Sequence, residues 1–161
     1  MEWFRLNKGK INVPIHEYLE ELFDEQVKEG NKFKVCVGTD SQQYGKMWKF
    51  ATVILLVIEG KDGIGKGAKI IYSNFKTQDI MSINQRMVRE VSKSVEVAYD
   101  IFHLVDLYDF KLEIHADINP DPKWKSNKAL SEAVGYILGM GYDFKVKPDA
   151  SAASTAADKL C

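Results

Sequence analysis

Cysteine is scarce: Cys36 and Cys161 are the only two in 161 residues. A disulfide framework is thereby excluded. The two form no Cys-x-x-Cys pair and no Cys/His spacing motif, so a structural zinc site is not expected. Cys36 lies in an apolar run and reads as a small core residue. Cys161 ends the chain and is expected to be a free, exposed thiol. Long apolar runs are also missing, and nothing approaches the ~20 residues that cross a bilayer. The start, Met1-Glu2-Trp3-Phe4-Arg5, has no basic region followed by an apolar stretch, as a secretory signal would. The expected location is the cytoplasm, with no membrane partner. An excess of one charge is lacking too: 22 Lys and Arg face 23 Asp and Glu. That balance excludes a protein that coats nucleic acid by bulk positive charge. It leaves open an enzyme that holds a phosphodiester through metal ions. There are no repeats, low-complexity stretches or Ser/Pro linkers. Residues 1–161 are therefore expected as one domain, with residues 1–30 an arm and a helix.

What is present is alternating strand and helix patterning. Residues 1–14 read as an arm or loop. Ile15, Tyr18, Leu19, Leu22, Phe23 and Val27 form one helical stripe up to Glu29. Phe33 to Thr39 reads as a strand, and Asp40 to Lys46 as a polar turn. Trp48 to Ile58 is a nearly continuous apolar strand, as expected near a sheet centre. Gly60 to Gly67 reads as a hairpin loop and Ala68 to Phe75 as a third strand. The short connections imply an antiparallel meander. A long helix follows, from about Asp79 to Val105, then a strand from Lys111 to Asp117. A helix from Ser126 to Met140, an edge strand from Tyr142 to Lys147 and a last helix from about Ser151 complete the chain. The order β-β-β-α-β-α-β-α predicts an α/β fold. It has a five-stranded mixed sheet, the meander plus α/β crossovers, flanked by helices with an extra one at the N-terminus.

Isolated acids stand at telling places. Asp40 ends the first predicted strand, in Val37-Gly38-Thr39-Asp40-Ser41-Gln42. Asp117 ends the fourth, in His115-Ala116-Asp117-Ile118-Asn119. If these strands are adjacent and parallel, both acids emerge at one sheet edge, where α/β proteins place ligands. Two carboxylates that close repel unless a cation or a shared proton relieves them. Oxygen-only ligands favour Mg²⁺ or Mn²⁺. With Met87 at 0°, the long helix has its apolar arc from about −40° to about 100°. Glu90 falls near −60°, on the rim, whereas Glu96 falls near 180°, on the solvent side. Asp149 occupies an ordinary N-cap position of the last helix. Asp158 lies ~13 Å further along the axis on nearly the opposite face, so one site can hardly use both. Asp158 is the preferred ligand and Asp149 the cap.

These segments, with Lys147-Pro148-Asp149-Ala150 and Ala157-Asp158-Lys159, resemble the YkuK-type family of ribonuclease H-like proteins over nearly the whole chain after Phe33. The resemblance implies a nuclease fold without a settled substrate. It carries the superfamily's four acids over to Asp40, Glu90, Asp117 and Asp158 as catalytic and metal-holding residues. It implies phosphodiester hydrolysis with two metal ions on RNA, an RNA–DNA hybrid or branched DNA, with Asp40 as the bridge. His115 would sit nearby. The chain departs from the pattern by stopping three residues after Asp158, where a frayed last turn would loosen that ligand. The other reading is an inactive module of the same fold that binds nucleic acid or a protein. Gly60-Lys61-Asp62-Gly63-Ile64-Gly65-Lys66-Gly67 nearly matches a phosphate-binding loop. It has Gly67 in place of Ser/Thr, and a strand follows it. Trp48 and Trp124 could stack on bases, but a packing role is the commoner fate of tryptophan.

Overall fold

The structure, a computed structural model, describes residues 1–118, 127–146 and 151–161. The elements are β1 (Phe4–Arg5), β2 (Gly9–Lys10), α1 (Ile15–Lys28), β3 (Lys32–Tyr44), β4 (Met47–Glu59) and β5 (Gly65–Thr77). They continue with α2 (Ile83–Leu107), β6 (Lys111–His115), α3 (Asn127–Gly139), β7 (Asp143–Lys145) and α4 (Ser151–Leu160). No described helix is long and apolar enough to cross a membrane.

The sheet has seven strands in the order β2-β1-β5-β4-β3-β6-β7, not the expected five. The surplus comes from residues 1–14. They form a small hairpin, Phe4 opposite Lys10, that joins the edge of β5. Two-residue strands are too short to show an alternating period, so this segment reads as a loop. Its anchors are apolar: Trp3 and Ile11 are buried, and Phe4 stacks on Tyr72 with ring centroids 5.6 Å apart.

The meander β3-β4-β5 is antiparallel as expected, while β6 pairs with β3 in parallel and β7 with β6 in parallel. The first hairpin is tighter than composition implies. The polar run from Asp40 continues as strand to Tyr44, and only Gly45 and Lys46 turn the chain. Gly45 takes a positive φ of 62°, which a glycine adopts without strain. The Gly/Lys-rich octet is only partly a loop: Gly60 N–H to the Ile64 carbonyl at 3.0 Å closes the turn, and Gly65, Lys66 and Gly67 already belong to β5, which begins three residues before the expected Ala68.

Alternation along the central strands divides the sheet into two faces. Phe33, Val35, Val37, Ile54 and Leu56 are buried in one core with Leu19 and Phe23 of α1 and Val91, Val95 and Ala98 of α2. Cys36, Val53 and Leu55 face the other way and pack with Ala157 and Leu160 of α4. Helix α2 starts later than Asp79 because Ser82 stops the chain with a full capping box. Its Oγ accepts from Gln85 N–H at 3.2 Å, and the Gln85 side chain accepts from Ser82 N–H at 2.8 Å.

Phe23 ties the N-terminal helix to the sheet. It is fully buried, with the Phe110, Tyr108 and Phe33 rings at 5.0, 5.3 and 5.5 Å. Phe23→Ala should cost about 3–5 kcal/mol in urea unfolding. The half-exposed Val27 on the same helix should tolerate alanine within about 0.5 kcal/mol. Equal losses at both positions would mean that α1 is not docked through this ring cluster.

Candidate metal centre

Strand β3 is the spine of the site. Its parallel register with β6 runs from Lys34 opposite Lys111 to Gly38 opposite His115. Asp40 lies two residues beyond Gly38 in β3, and Asp117 two residues beyond the end of β6, where it lines a crevice with Thr39 and Glu90. Contrary to expectation, Asp40 is not at a strand end but inside β3, opposite Ala51 of β4. Strand β6 stops at His115, which leaves the β6 side of β3 open at Asp40.

Helix α2 reaches over that opening. Glu90, expected on the rim of the apolar arc, is buried at 5% exposure, whereas Glu96 is exposed and pairs with Lys93. Ser41 Oγ donates to Glu90 Oε1 at 2.5 Å, and Arg86 Nε lies 3.8 Å from the same oxygen. One turn on, Ser94 Oγ donates to Thr39 Oγ1 at 2.8 Å, which in turn meets Thr52 Oγ1 at 2.9 Å. This hydroxyl chain clamps α2 to β3 and β4 beside Glu90. A narrow crevice there is lined by Thr39, Glu90, Ser94, His115 and Asp117 among others.

Helix α4 supplies the fourth acid from the far side. Asp158 is exposed and touches Asp40, and Gln42 Nε2 donates to Asp158 Oδ1 at 3.0 Å. The last turn is tied down rather than frayed. Lys49 Nζ donates to the Leu160 carbonyl at 2.7 Å, and Cys161 Sγ donates to the Asp40 carbonyl at 3.0 Å. Cys161 is thus buried, not the exposed thiol expected of a terminal residue, and burial pushes its thiol up to about 12. Neutral at ordinary pH, it can donate to that carbonyl. Asp149 and Trp124 lie outside the described residues.

The acids feel one another. Burial raises Glu90 to about 7, and the Asp40 charge adds to this against the Ser41 bond and Arg86. Burial also raises Asp40 to about 6, with the Asp158 carboxylate adding to the rise. Oxygen donors from three elements, with Asp40 and Glu90 raised by burial, fit a hard divalent ion. The fold class usually works with such ions.

His115 does not stand alone. Its Nε2 lies 3.0 Å from Glu113 Oε2, and Cys36 Sγ lies 3.8 Å from the same oxygen. All three side chains are buried, and one ligand atom of each lies within 4.8 Å of the others, a group able to hold a metal ion. Burial and the Glu113 charge push Cys36 up to about 12. Burial pushes Glu113 up as well, but bonds from His115 and Lys111 outweigh it and leave this carboxyl below its usual range. Spacing along the chain gives no sign of this cluster, because Cys36 and Glu113 are 77 positions apart. The signal that exists is strand alternation, which sets Glu113, His115 and Asp117 on one face. Ser41 and Gln42, which position Glu90 and Asp158, are likewise unremarkable in the sequence.

Raised acids give a defined pH response. Asp40 and Glu90 stay protonated more readily in the folded chain than in the unfolded one. Their contribution to stability is therefore complete below about pH 4 and is lost as pH rises through about 6 and 7. Without divalent ions, this part of the melting temperature should fall across that window, and E90Q should flatten the fall. A metal-free profile that rises over the window and is unchanged by E90Q would contradict this electrostatic account.

The comparisons bear on the fold. A protein of Bacillus subtilis (strain 168), the uncharacterised YkuK, is 29% identical over 143 residues, covering 81% of this chain and 80% of its own. The ribonuclease H-like family model matches residues 15–161, and with the mixed sheet and its flanking helices this places the chain in the ribonuclease H-like family.

Proposed function

We propose that the protein is a metal-dependent nuclease of the ribonuclease H type, a single domain acting in the cytoplasm. It would hydrolyse phosphodiester bonds in RNA, RNA–DNA hybrid or branched DNA. The observation that carries this reading is the meeting of Asp40 with Glu90 and Asp158, with Asp117 lining the same crevice as Glu90. Family membership is its second support.

On this reading Asp40, Glu90, Asp117 and Asp158 would be the residues that hold Mg²⁺ or Mn²⁺. The ions would lower the pKa of an attacking water and neutralise charge on the phosphodiester. Water oxygen bonds to phosphorus, the bond to the leaving oxygen breaks, and that oxygen takes up a proton. Ser41 fixes the Glu90 carboxyl through its 2.5 Å bond, and Gln42 fixes Asp158 through its 3.0 Å bond. These two are positioning residues. The near-neutral charge of the chain, −1 overall, favours a second reading: an inactive module of the same fold that binds nucleic acid or a protein.

Labelled RNA, hybrid and branched DNA incubated with Mn²⁺ separate the two. The nuclease reading expects at least one of them to be cut. Asp40→Asn should lower the rate at least about 100-fold, the upper range for loss of an outer partner of a metal site. Glu96→Gln, on the exposed side of the same helix, should leave it unchanged. Binding without cleavage by the wild type under Mn²⁺ and Mg²⁺ would favour the module. Equal activity of Asp40→Asn would remove the carboxylates from the mechanism.

A further inference from the structure

Beneath α4, one step along the sheet from the four acids, Cys36, Glu113 and His115 form a second constellation. The strand register makes it: Cys36 is paired with Glu113 and Gly38 with His115, while on the other side of β6 His115 is level with Lys145 of β7. The three are 0%, 4% and 4% exposed. Carboxylates and imidazoles are seldom buried this deeply unless something partners them. Lys111 Nζ, 3.3 Å from Glu113 Oε1, engages one carboxylate oxygen from the exposed side. The other oxygen, Oε2, turns inward to both His115 and Cys36.

We propose that this trio is a site for a thiophilic first-row metal ion, Zn²⁺ above all, distinct from the carboxylate centre. The geometry argues for it. Tetrahedral zinc with sulfur at about 2.3 Å and nitrogen or oxygen at about 2.0–2.1 Å needs ligand atoms about 3.4–3.6 Å apart. The observed edges, 3.8 Å from Cys36 Sγ to Glu113 Oε2 and 3.0 Å from that oxygen to His115 Nε2, lie a few tenths of an ångström either side. The third edge is within 4.8 Å. Side-chain rotation would have to bring all three ligand atoms onto one centre. A thiolate, an imidazole and a carboxylate select zinc over Mg²⁺, which prefers oxygen alone. Three protein ligands leave a fourth tetrahedral position for a small ligand such as water. An ion here cross-links β3 to β6 just before Asp40 and Asp117. It braces the register that aligns those acids, but does not need them.

The test is a Co²⁺ titration of the full chain, stripped with chelator and held in excess Mg²⁺ to fill the carboxylate centre. One Co²⁺ per chain should give an intense near-ultraviolet thiolate-to-metal band, displaced by Zn²⁺. The band should vanish in Cys36→Ala and persist in Cys161→Ala and Asp40→Asn. Glu113→Gln, a gentler change should Cys36→Ala fail to fold, should weaken binding at least about tenfold. A wild-type chain without the band overturns the proposal. So does a band that survives Cys36→Ala, or one lost in Cys161→Ala or Asp40→Asn, since the ion would then sit at the chain terminus beside the carboxylates.

Discussion

Parallel pairing of β6 with β3, from Lys34 opposite Lys111 to Gly38 opposite His115, sets the positions of the groups that matter. Side chains alternate along a strand, so a slip of one residue would turn Glu113, His115 and Asp117 to the opposite face. The apolar pattern resists such a slip. Leu112 and Ile114 are buried with Val35 and Val37 against α2, and shifting them would expose one core while driving charge into another. The hydrophobic core on one face thus enforces the polar arrangement on the other. Helices α2 and α4 then only have to approach β3 from opposite sides at the open edge beyond His115.

That approach opposes ordinary electrostatics. Glu90 is buried, and Asp40 feels both Glu90 and Asp158; the Glu90 and Asp40 carboxyls are raised because burial and neighbouring acids disfavour the charged form. A fold maintained for stability alone would place apolar residues there, since breaking even with buried charges demands very good pairing. Here the surrounding atoms hold the acids in place instead. Ser41 donates to Glu90, Gln42 to Asp158, and Lys49 and Cys161 anchor the last turn that carries Asp158. On the proposed reading, these destabilised groups held by well-placed donors are the binding centre.

The central meander, the long helix and the parallel crossovers were legible because each spans several periods of its pattern. So was the inward placement of Glu90 against the exposure of Glu96, which followed from helical angle alone. Residues 1–14 were not legible, because a pair of two-residue strands has no period to detect. The polar run from Asp40 to Gln43 misled as to where β3 ends. Composition marks it as a turn, yet β4 supplies its backbone partners and the site uses its side chains. Burial of Cys161 and the meeting of Cys36 with Glu113 and His115 depend on contacts between distant segments. No local rule reaches those contacts.

The balance of charge bears on how such a site would meet a polyanion. With Lys and Arg matched by Asp and Glu, there is little bulk attraction, and the acids at the centre would repel a phosphodiester if left uncompensated. On the proposed reading, divalent ions invert that local field, so that affinity for the scissile phosphate appears only when the carboxylates are loaded. Arg86 fits this picture. It lies 5.5 Å over the Trp48 ring and 3.8 Å from Glu90, and so places a cation and an aromatic face beside the centre. A strand passing over Trp48 would meet stacking surface and positive charge together, while the phosphate to be cut lay over Asp40. Recognition would then be local and metal-gated, which suits a chain with no surplus of positive charge to spend on non-specific binding.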